Sequence, residues 1–199
     1  ADAVLHGIRL MKGLSALHRL DVAQRDIKPA NIHLGRDGRL RILDLGVALS
    51  LSEDEIDSGN PGTPSYMAPE LFSGGRASTT HDLYAAGVVL YHLLTRKYPY
   101  GEVEPFQHPK FGEPLAPTRY RPDIPGWLEN ILLKAVAKDP AQRFETAEEF
   151  LLALERGATR PLNRPPVTPL ALRNPLLTWR IIASVSMFAN LLMLMLLTR

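Results

Sequence analysis

The 199 residues are 45% apolar and 22% charged, a composition that supports one sizeable buried core and excludes an intrinsically disordered chain. Cysteine is absent, which excludes disulfide bonds and thiolate metal sites. The net charge of +2 hides a division, since the first 155 residues carry 17 basic and 21 acidic side chains and the remainder six arginines and no acidic residue. No basic patch has interleaved aromatic residues, so no nucleic-acid partner is predicted.

An amphipathic helix of about five turns is predicted at the start of the chain. Its apolar side chains recur every three or four residues: Val4, Ile8, Met11, Leu14 and Leu17. Two short strand-like runs, 32–34 and 40–43, then flank an Asp-Gly pair, a pattern that is typical of a hairpin. We expect this hairpin to set the separation between Asn31 and Asp44.

A buried central helix is predicted from Leu83 to Leu94, because the chain there is apolar on all sides. Thr79, with Asp82 three residues later, indicates the N-cap of this helix. A further helix is predicted over Gly126–Lys138.

The last helix of the folded core is predicted to begin at a capping box. Thr146 and Glu149 have the spacing of that motif, and Gly157 stands where a C-cap is expected. The folded domain is therefore predicted to cover residues 1–157.

The remainder of the chain has a different character. Residues 158–175 contain five prolines and little periodic pattern, which indicates an extended linker. Ile181–Leu197 then runs for 17 residues without a charge, and at about 1.5 Å per residue it approaches the thickness of a bilayer core. A transmembrane helix is predicted within residues 176–199. The alternative is a core helix of a larger domain, which the marginal length and Asn190 favour.

Charges and aromatic residues beside this segment indicate its orientation. Trp179 stands where an interfacial aromatic residue would lie, and only Arg199 follows the segment. Five arginines precede it: Arg156, Arg160, Arg164, Arg173 and Arg180. By the positive-inside rule, the protein would be a single-pass membrane protein in contact with lipid, with the folded domain in the cytoplasm.

Three short motifs occur in order: QRDIKPAN at 24–31, DLG at 44–46 and GTPSYMAPE at 62–70. DLG alone carries almost no information, but the ordered set is much more specific. Together the motifs resemble those of eukaryotic-like Ser/Thr protein kinases, over residues 1–156. The resemblance implies a kinase large lobe, mainly α-helical with a small β-hairpin, that transfers phosphate from ATP to protein hydroxyls.

The resemblance also implies roles for particular residues. In residues 24–31, called the catalytic loop below, Asp26 would orient the acceptor hydroxyl and Lys28 would lie near the transferred phosphate. Asn31 and Asp44 would hold Mg²⁺, because amide and carboxylate oxygens suit this ion and leave room for phosphate and water. Lys28 together with Thr63 implies seryl and threonyl acceptors. Taken singly, these residue types are typical of a solvated loop.

Other residues are implied to be structural or regulatory. Glu70 and Arg143 would form a buried ion pair, and Asp82 would accept hydrogen bonds from the catalytic-loop backbone. Arg25 would bind a phosphate on residues 44–70, called the activation segment below, or hold nearby carboxylates. The segment is acidic, so a solvated mobile loop and a phosphorylation switch both remain open. The candidate phosphorylation sites are Ser50, Ser52, Ser58, Thr63 and Ser65.

Some features depart from the kinase pattern. Gln24 stands where kinases usually carry His, and Leu45 stands where many carry Phe, although Leu is a common variant. The chain contains no Gly-rich loop, strand Lys or pairing helix Glu before the catalytic loop. We therefore expect a piece of a longer protein whose small lobe is encoded upstream, and which is inactive alone. The alternative function is a non-catalytic kinase-like interaction module at the membrane.

A second resemblance concerns residues 79–102, TTHDLYAAGVVLYHLLTRKYPYGE, and the apolar tail. Both are similar to bacterial proteins in which a type 2C protein phosphatase precedes a Ser/Thr kinase with a C-terminal transmembrane helix. This implies a place in the inner membrane. It also implies two partners within the same polypeptide, the small lobe and a phosphatase domain.

Overall fold

The computed structural model describes residues 2–46, 48–50, 62–76, 78–104 and 109–159, together with scattered positions between 179 and 195. The chain divides into two compact units, residues 1–163 and 164–199. The described part of the first unit has four α-helices and four short strands: α1 (Asp2–His18), β1 (Val22–Ala23), β2 (Ile32–Leu34), β3 (Leu40–Ile42), β4 (Leu49–Ser50), α2 (Thr79–Thr95), α3 (Gly126–Ala135) and α4 (Ala147–Thr159). The prediction of a mainly α-helical domain with a small β-hairpin is confirmed, and the structure adds a second two-stranded pair.

Helix α1 follows the predicted spacing of apolar residues. Leu10, Met11 and Leu14 are buried in the core, and the helix packs most extensively against α4 and also against α2 and β3. Burial of this apolar face stabilises the helix far more than its own propensity does. Helix α1 therefore packs against both the core and the hairpin that precedes Asp44.

The predicted hairpin is present as the antiparallel pair β2 and β3, with Ile32 opposite Ile42 and Leu34 opposite Leu40. Gly38 has a φ of 73°, the left-handed conformation that favours glycine in a tight turn. At the open end of the hairpin, the Leu43 N–H donates to the Asn31 carbonyl at 2.8 Å. The hairpin thus brings Asn31 close to the backbone immediately before Asp44, as predicted. A second pair joins β1 to β4.

Helix α2 is the buried central helix, and most of its residues from His81 to Tyr91 are inaccessible to solvent. Its predicted N-cap was wrong by one residue. Ser78 is the N-cap, and Thr79 is the first helical residue. Its capping arrangement involves His81, which takes the place of the usual Glu or Gln. Asp82 instead turns towards the catalytic loop.

Helix α3 ends at Ala135, three residues before the predicted Lys138. Pro140 disfavours helical backbone at the residue before it. In addition, Arg143 donates from Nε to the Ala137 carbonyl at 2.7 Å and from Nη2 to the Lys138 carbonyl at 3.0 Å. These bonds satisfy the backbone of the 137–138 turn outside a helix.

Helix α4 begins as predicted, because the Glu149 N–H donates to Thr146 Oγ1 at 3.1 Å. The Glu149 carboxylate accepts from the Glu145 N–H at 2.9 Å, so the reciprocal bond falls one residue earlier than in a standard box. Gly157 is not a C-cap, since the helix continues to Thr159. A Cβ at Gly157 would lie 2.1 Å from Trp127 Cε3, so this glycine allows close packing of α4 against that ring.

The second unit is described at eight helical, solvent-exposed positions, among them Trp179, Met187 and Met195. Most of the predicted transmembrane segment Ile181–Leu197, and the linker beyond Thr159, lie outside the described residues. Within the described residues, no helix has the length and apolar character needed to cross a membrane. The membrane helix therefore stays a prediction.

Candidate active site

Asp82 of α2 supports the catalytic loop through two hydrogen bonds. Its carboxylate, 1% exposed, accepts the backbone N–H groups of Gln24 at 2.8 Å and of Arg25 at 2.9 Å. His18 Nε2, at the end of α1, lies 3.0 Å from the same carboxylate. A buried carboxylate near the N-terminus of a helix is favoured by the helix dipole and by these donors. Asp82 therefore joins α1, α2 and the catalytic loop, as the sequence interpretation requires.

Asp26 lies at the centre of the site, with its side chain 14% exposed. Lys28 Nζ lies 2.7 Å from Asp26 Oδ2, and the same Nζ donates to Thr63 Oγ1 at 3.0 Å. The Thr63 N–H donates to Asp26 Oδ1 at 3.2 Å, and its hydroxyl lies 3.3 Å from that oxygen. Three predicted site residues thus form one polar cluster, although 35 or more residues separate Thr63 from the other two.

Asn31 is positioned by the same aspartate. Its Nδ2 donates to the Asp26 carbonyl at 2.9 Å and to Asp26 Oδ2 at 3.0 Å. Both bonds use the amide nitrogen, so the amide oxygen is the atom that remains for a cation. The structure therefore orients Asn31 in the sense that a magnesium ligand requires.

Asp44 lies at the mouth of the site and is exposed. Its φ is 59°, a left-handed conformation that Asp tolerates better than most residues, and Oδ1 accepts the Gly46 N–H at 3.1 Å. Among the described residues, no three His, Cys, Asp or Glu side chains converge into a metal cluster. Asn31 and Asp44 fit the partial set of hard oxygens that Mg²⁺ takes when phosphate and water supply the rest.

Gln24 has a role that the sequence did not reveal. The side chain is fully buried, and both ends of its amide have partners. Nε2 donates to the Asp44 carbonyl at 3.0 Å, and Oε1 accepts the Asp26 N–H at 2.9 Å. A buried amide is tolerated only when it is satisfied in this way. The only signal in the sequence was the presence of a polar residue at a position where an aromatic ring was expected.

Glu70 and Arg143 form the bidentate ion pair that the resemblance implied. Arg143 Nη1 donates to Glu70 Oε1 at 2.7 Å and Nη2 donates to Oε2 at 2.8 Å. The Arg143 side chain is fully buried, and its Cζ lies 4.7 Å from the centre of the Tyr84 ring. Burial would raise the pKa of Glu70, but hydrogen bonds from His81 and Arg143 outweigh it and lower the pKa to about 2.

The sequence pattern also did not indicate a role for His81, whose Nε2 lies 2.9 Å from Glu70 Oε1. Its position one residue before Asp82 carried no signal, because a lone histidine in a helix is usually only a packing residue.

The regulatory candidates fall into two groups. Ser52 and Ser58 lie outside the described residues, as does the side chain of Ser50. Thr63 and Ser65 are described, and both hydroxyls are used in contacts: Thr63 within the cluster around Asp26, and Ser65 in accepting the Val103 N–H at 3.1 Å. Arg25 has a φ of 69° and lies beside Asp26 and Thr63. Its phosphate-binding role stays a prediction.

An apolar surface borders the site. A cavity of about 520 Å³ lies between α1, α2 and the hairpin, and Lys28 of the catalytic loop forms part of its wall. Leu34 and Leu93 also line it and are 46% and 40% exposed, while Leu45, next to Asp44, is 51% exposed. Exposed apolar side chains that line one cavity, as Leu34 and Leu93 do, are typical of a surface that contacts another folded element.

The sequence of the chain is similar to those of known proteins. Residues 4–152 match the protein kinase domain family. The chain is 38% identical to serine/threonine-protein kinase PrkC of Bacillus subtilis over 148 residues, which cover 71% of this chain and 23% of the relative.

Two further relatives are also serine/threonine-protein kinases by name. A probable serine/threonine-protein kinase of Streptomyces coelicolor is 34% identical over 156 residues, which cover 74% of this chain and 23% of the relative. Serine/threonine-protein kinase PknB of Mycolicibacterium smegmatis is 32% identical over 157 residues, which cover 73% of this chain and 24% of the relative. The chain thus spans about a quarter of the length of these relatives.

Proposed function

The chain belongs to the protein kinase domain family, and from this we propose that it is the large lobe of a kinase that transfers the γ-phosphate of ATP to serine or threonine hydroxyls of proteins. The observation that carries the proposal is the cluster in which Asp26 contacts Lys28, Asn31 and Thr63. A purely structural loop has no need to gather a carboxylate, an ammonium group and an amide around one point near the surface.

Phosphoryl transfer demands little covalent work from a protein, so catalysis depends on positioning and on charge. In the proposed reaction, the Asp26 carboxylate accepts a hydrogen bond from the acceptor hydroxyl and takes its proton. Lys28, 2.7 Å from that carboxylate, offsets negative charge on the transferred phosphate. Both groups are held by backbone and side-chain bonds before any substrate arrives.

Asn31 and Asp44 are the residues that would hold Mg²⁺, through the amide oxygen and the carboxylate. The ion would neutralise charge on the phosphates of ATP when bound. Gln24 supports this assignment, because its amide ties the Asp44 carbonyl to the Asp26 N–H.

The choice of serine and threonine as acceptors rests on Lys28 and Thr63. The 3.0 Å bond between Lys28 Nζ and Thr63 Oγ1 joins the catalytic loop to the end of the activation segment. Both residues contact the Asp26 carboxylate, at which the acceptor hydroxyl is proposed to bind. The names of the relatives, all serine/threonine-protein kinases, support the same class.

The remaining part of the nucleotide site is proposed to come from a small lobe elsewhere in the same polypeptide. Support comes from the exposed Leu34, Leu45 and Leu93 beside the catalytic loop, which need an apolar cover. We further propose that residues 176–199 anchor the protein in the inner membrane, with the lobe on the cytoplasmic side and lipid around the helix. A type 2C phosphatase domain is the proposed upstream partner.

One observation favours a second candidate, a non-catalytic kinase-like module that binds partners at the membrane. Gln24 replaces the histidine that kinases usually carry. The retained Asp26, Asn31 and Asp44 favour the enzyme, as do the two bonds of the Gln24 amide.

The test is transfer of label from γ-labelled ATP, with Mg²⁺, to an acceptor protein that offers serine, threonine and tyrosine. The polypeptide used must include the proposed small lobe. We expect phosphoserine or phosphothreonine, and loss of label in Asp26→Asn but not in the matched variant Asp37→Asn of the exposed hairpin turn. Label on tyrosine alone, or equal transfer by both variants, would contradict the proposal.

A further inference from the structure

His81, in the first turn of α2, is 8% exposed, and both of its ring nitrogens are engaged. The Ser78 N–H donates to Nδ1 at 2.9 Å, and Nε2 lies 2.9 Å from Glu70 Oε1. The first contact joins α2 to its N-cap residue, and the second reaches the end of the activation segment. One imidazole therefore connects two elements on which the candidate active site depends.

The two contacts together determine the protonation of the ring. A backbone N–H can only donate, so Nδ1 must accept and carries no proton. In a neutral imidazole the other nitrogen then carries the proton, and Nε2–H donates to the Glu70 carboxylate. A charged ring would place an N–H at Nδ1 against the Ser78 N–H, with only the Ser78 Oγ, at 3.4 Å, to accept it, and the opposite tautomer would lose the bonds from the Ser78 N–H and to Glu70.

Each contact stabilises a different element that positions Asp26. The Nδ1 contact orders the first turn of α2, where the next residue, Asp82, accepts the N–H groups of Gln24 and Arg25. The Nε2 contact holds Glu70 at the oxygen that also accepts from Arg143 Nη1. Glu70 lies seven residues after Thr63, which contacts Asp26 from the other side.

We propose that His81 is a positioning residue that aligns the catalytic loop with the end of the activation segment through one neutral, Nε2-protonated imidazole. Its two bonds have separable consequences. Loss of the Nδ1 contact loosens the start of α2, whereas loss of the Nε2 contact loosens residues 64–73. The kinetic consequence rests on the proposed function; the structural consequence does not.

Two conservative substitutions separate the bonds. In His81→Asn the amide oxygen reaches the place of Nδ1 and keeps the α2 contact, but the side chain is too short to donate to Glu70. In His81→Gln the amide nitrogen reaches the place of Nε2 and keeps the Glu70 contact. His33→Asn and His33→Gln, at an exposed position of β2, are the matched controls.

Hydrogen exchange of the full 199-residue chain measures the two effects. In His81→Asn we expect the amides of residues 64–73 to exchange about tenfold faster, because a charge-assisted hydrogen bond is lost, with the start of α2 unchanged. In His81→Gln we expect faster exchange at the start of α2 and unchanged exchange in residues 64–73. The same change in both variants, global unfolding included, or no change in either segment, overturns the proposal.

A measurement on the unmodified chain is independent of the variants. Long-range ¹H–¹⁵N spectra at neutral pH distinguish the two tautomers and the charged ring of His81. We expect an Nε2-protonated neutral ring. An Nδ1-protonated or doubly protonated ring overturns the proposal.

The kinetic test uses a polypeptide that includes the proposed small lobe. We expect both His81→Asn and His81→Gln to lower kcat/KM for the protein acceptor about tenfold with KM for ATP unchanged, and His33→Asn and His33→Gln to retain activity. Unchanged kcat/KM in either His81 variant counts against the proposal. If the unmodified polypeptide transfers no phosphate, the proposed function fails, and the exchange and tautomer results still decide the role of His81.

Discussion

Gln24 Nε2 donates to the backbone carbonyl of Asp44 at 3.0 Å, and the same amide accepts the Asp26 N–H at 2.9 Å. One buried side chain thus connects the proposed base to the proposed magnesium ligand. Because the amide is rigid and planar, it holds these two backbone groups at a fixed separation. The glutamine that replaces the usual histidine therefore has a hydrogen-bond partner at both ends of its amide.

Gln24→Leu tests this connection. The substitution keeps the volume but leaves the Asp26 N–H and the Asp44 carbonyl without their partner. An unsatisfied buried group costs about 1–3 kcal/mol, but Asp44 is exposed, so water can bind its carbonyl. We expect a loss of at least about 1 kcal/mol in the free energy of unfolding, measured by urea denaturation. Gln142→Leu, at an exposed position, is the control. Unfolding of Gln24→Leu at the same urea concentration as the unmodified chain would refute the connection.

Asp26→Asn and Asp44→Asn test the chemistry in a polypeptide that includes the proposed small lobe. Asp44 is exposed and contributes to reaction far more than to packing, whereas the Asp26 carboxylate also holds Lys28, Asn31 and Thr63. We expect phosphate transfer to fall by several orders of magnitude in each variant, with thermal unfolding nearly unchanged in Asp44→Asn and at a lower temperature in Asp26→Asn. Asp37→Asn serves as the control. Transfer at the unmodified rate in either active-site variant would rule out the enzyme.

Glu70 predicts a specific dependence of stability on pH. Its carboxyl has an ordinary pKa of 4.5 and a pKa of about 2 in the folded protein. A lowered folded pKa stabilises the protein above pH 4.5, and this stabilisation is lost as the pH falls from 4.5 towards 2. The expected loss is about 2–3 kcal/mol, reduced somewhat because the carboxyl is a quarter exposed.

The measurement is urea unfolding at several values of pH between 3 and 6, with Glu70→Gln beside the unmodified chain. The variant lacks the titrating group, so its stability should change less steeply over this range, whatever its absolute value. Parallel curves for the two proteins would show that Glu70 is not held as the ion pair implies.

The membrane anchor is tested by flotation of the full chain with lipid vesicles. We expect the chain to float with the vesicles and a chain truncated after Thr159 to remain at the bottom of the gradient. Arginine near the centre of a transmembrane helix costs about 2.5–3.5 kcal/mol, so Asn190→Arg should weaken flotation. Thr198→Arg, near the end of the segment, should not. A full chain that stays with the truncated one would exclude the anchor.

The 199-residue chain by itself is expected to bind ATP poorly. Asp44 and Leu45 are exposed, so charge interactions at the site are weakened by water, and the described residues supply no apolar cover over Asp44. Calorimetric titration with Mg²⁺ and ATP should show no binding in the micromolar range, whereas a polypeptide that includes the proposed small lobe should bind. Micromolar binding by the chain alone would place the nucleotide site elsewhere.

The sequence by itself determined the elements whose pattern is local. Apolar spacing predicted α1 and the buried α2, and the Asp-Gly pair predicted the hairpin that brings Asn31 to Asp44. The ordered motifs were sufficient to identify the family. These features repeat within a few residues, so the backbone geometry of one helix or one turn is enough to produce them.

Only the tertiary structure decided which distant groups satisfy one another. The end of α3 depends on Arg143, which takes the carbonyls of Ala137 and Lys138 while pairing with Glu70. The burial of Gln24 and the bond from His81 to Glu70 likewise depend on the directions in which separate elements present their side chains. Periodicity carries no information about such directions. A buried polar group must find a partner, but which partner it finds depends on how the helices pack.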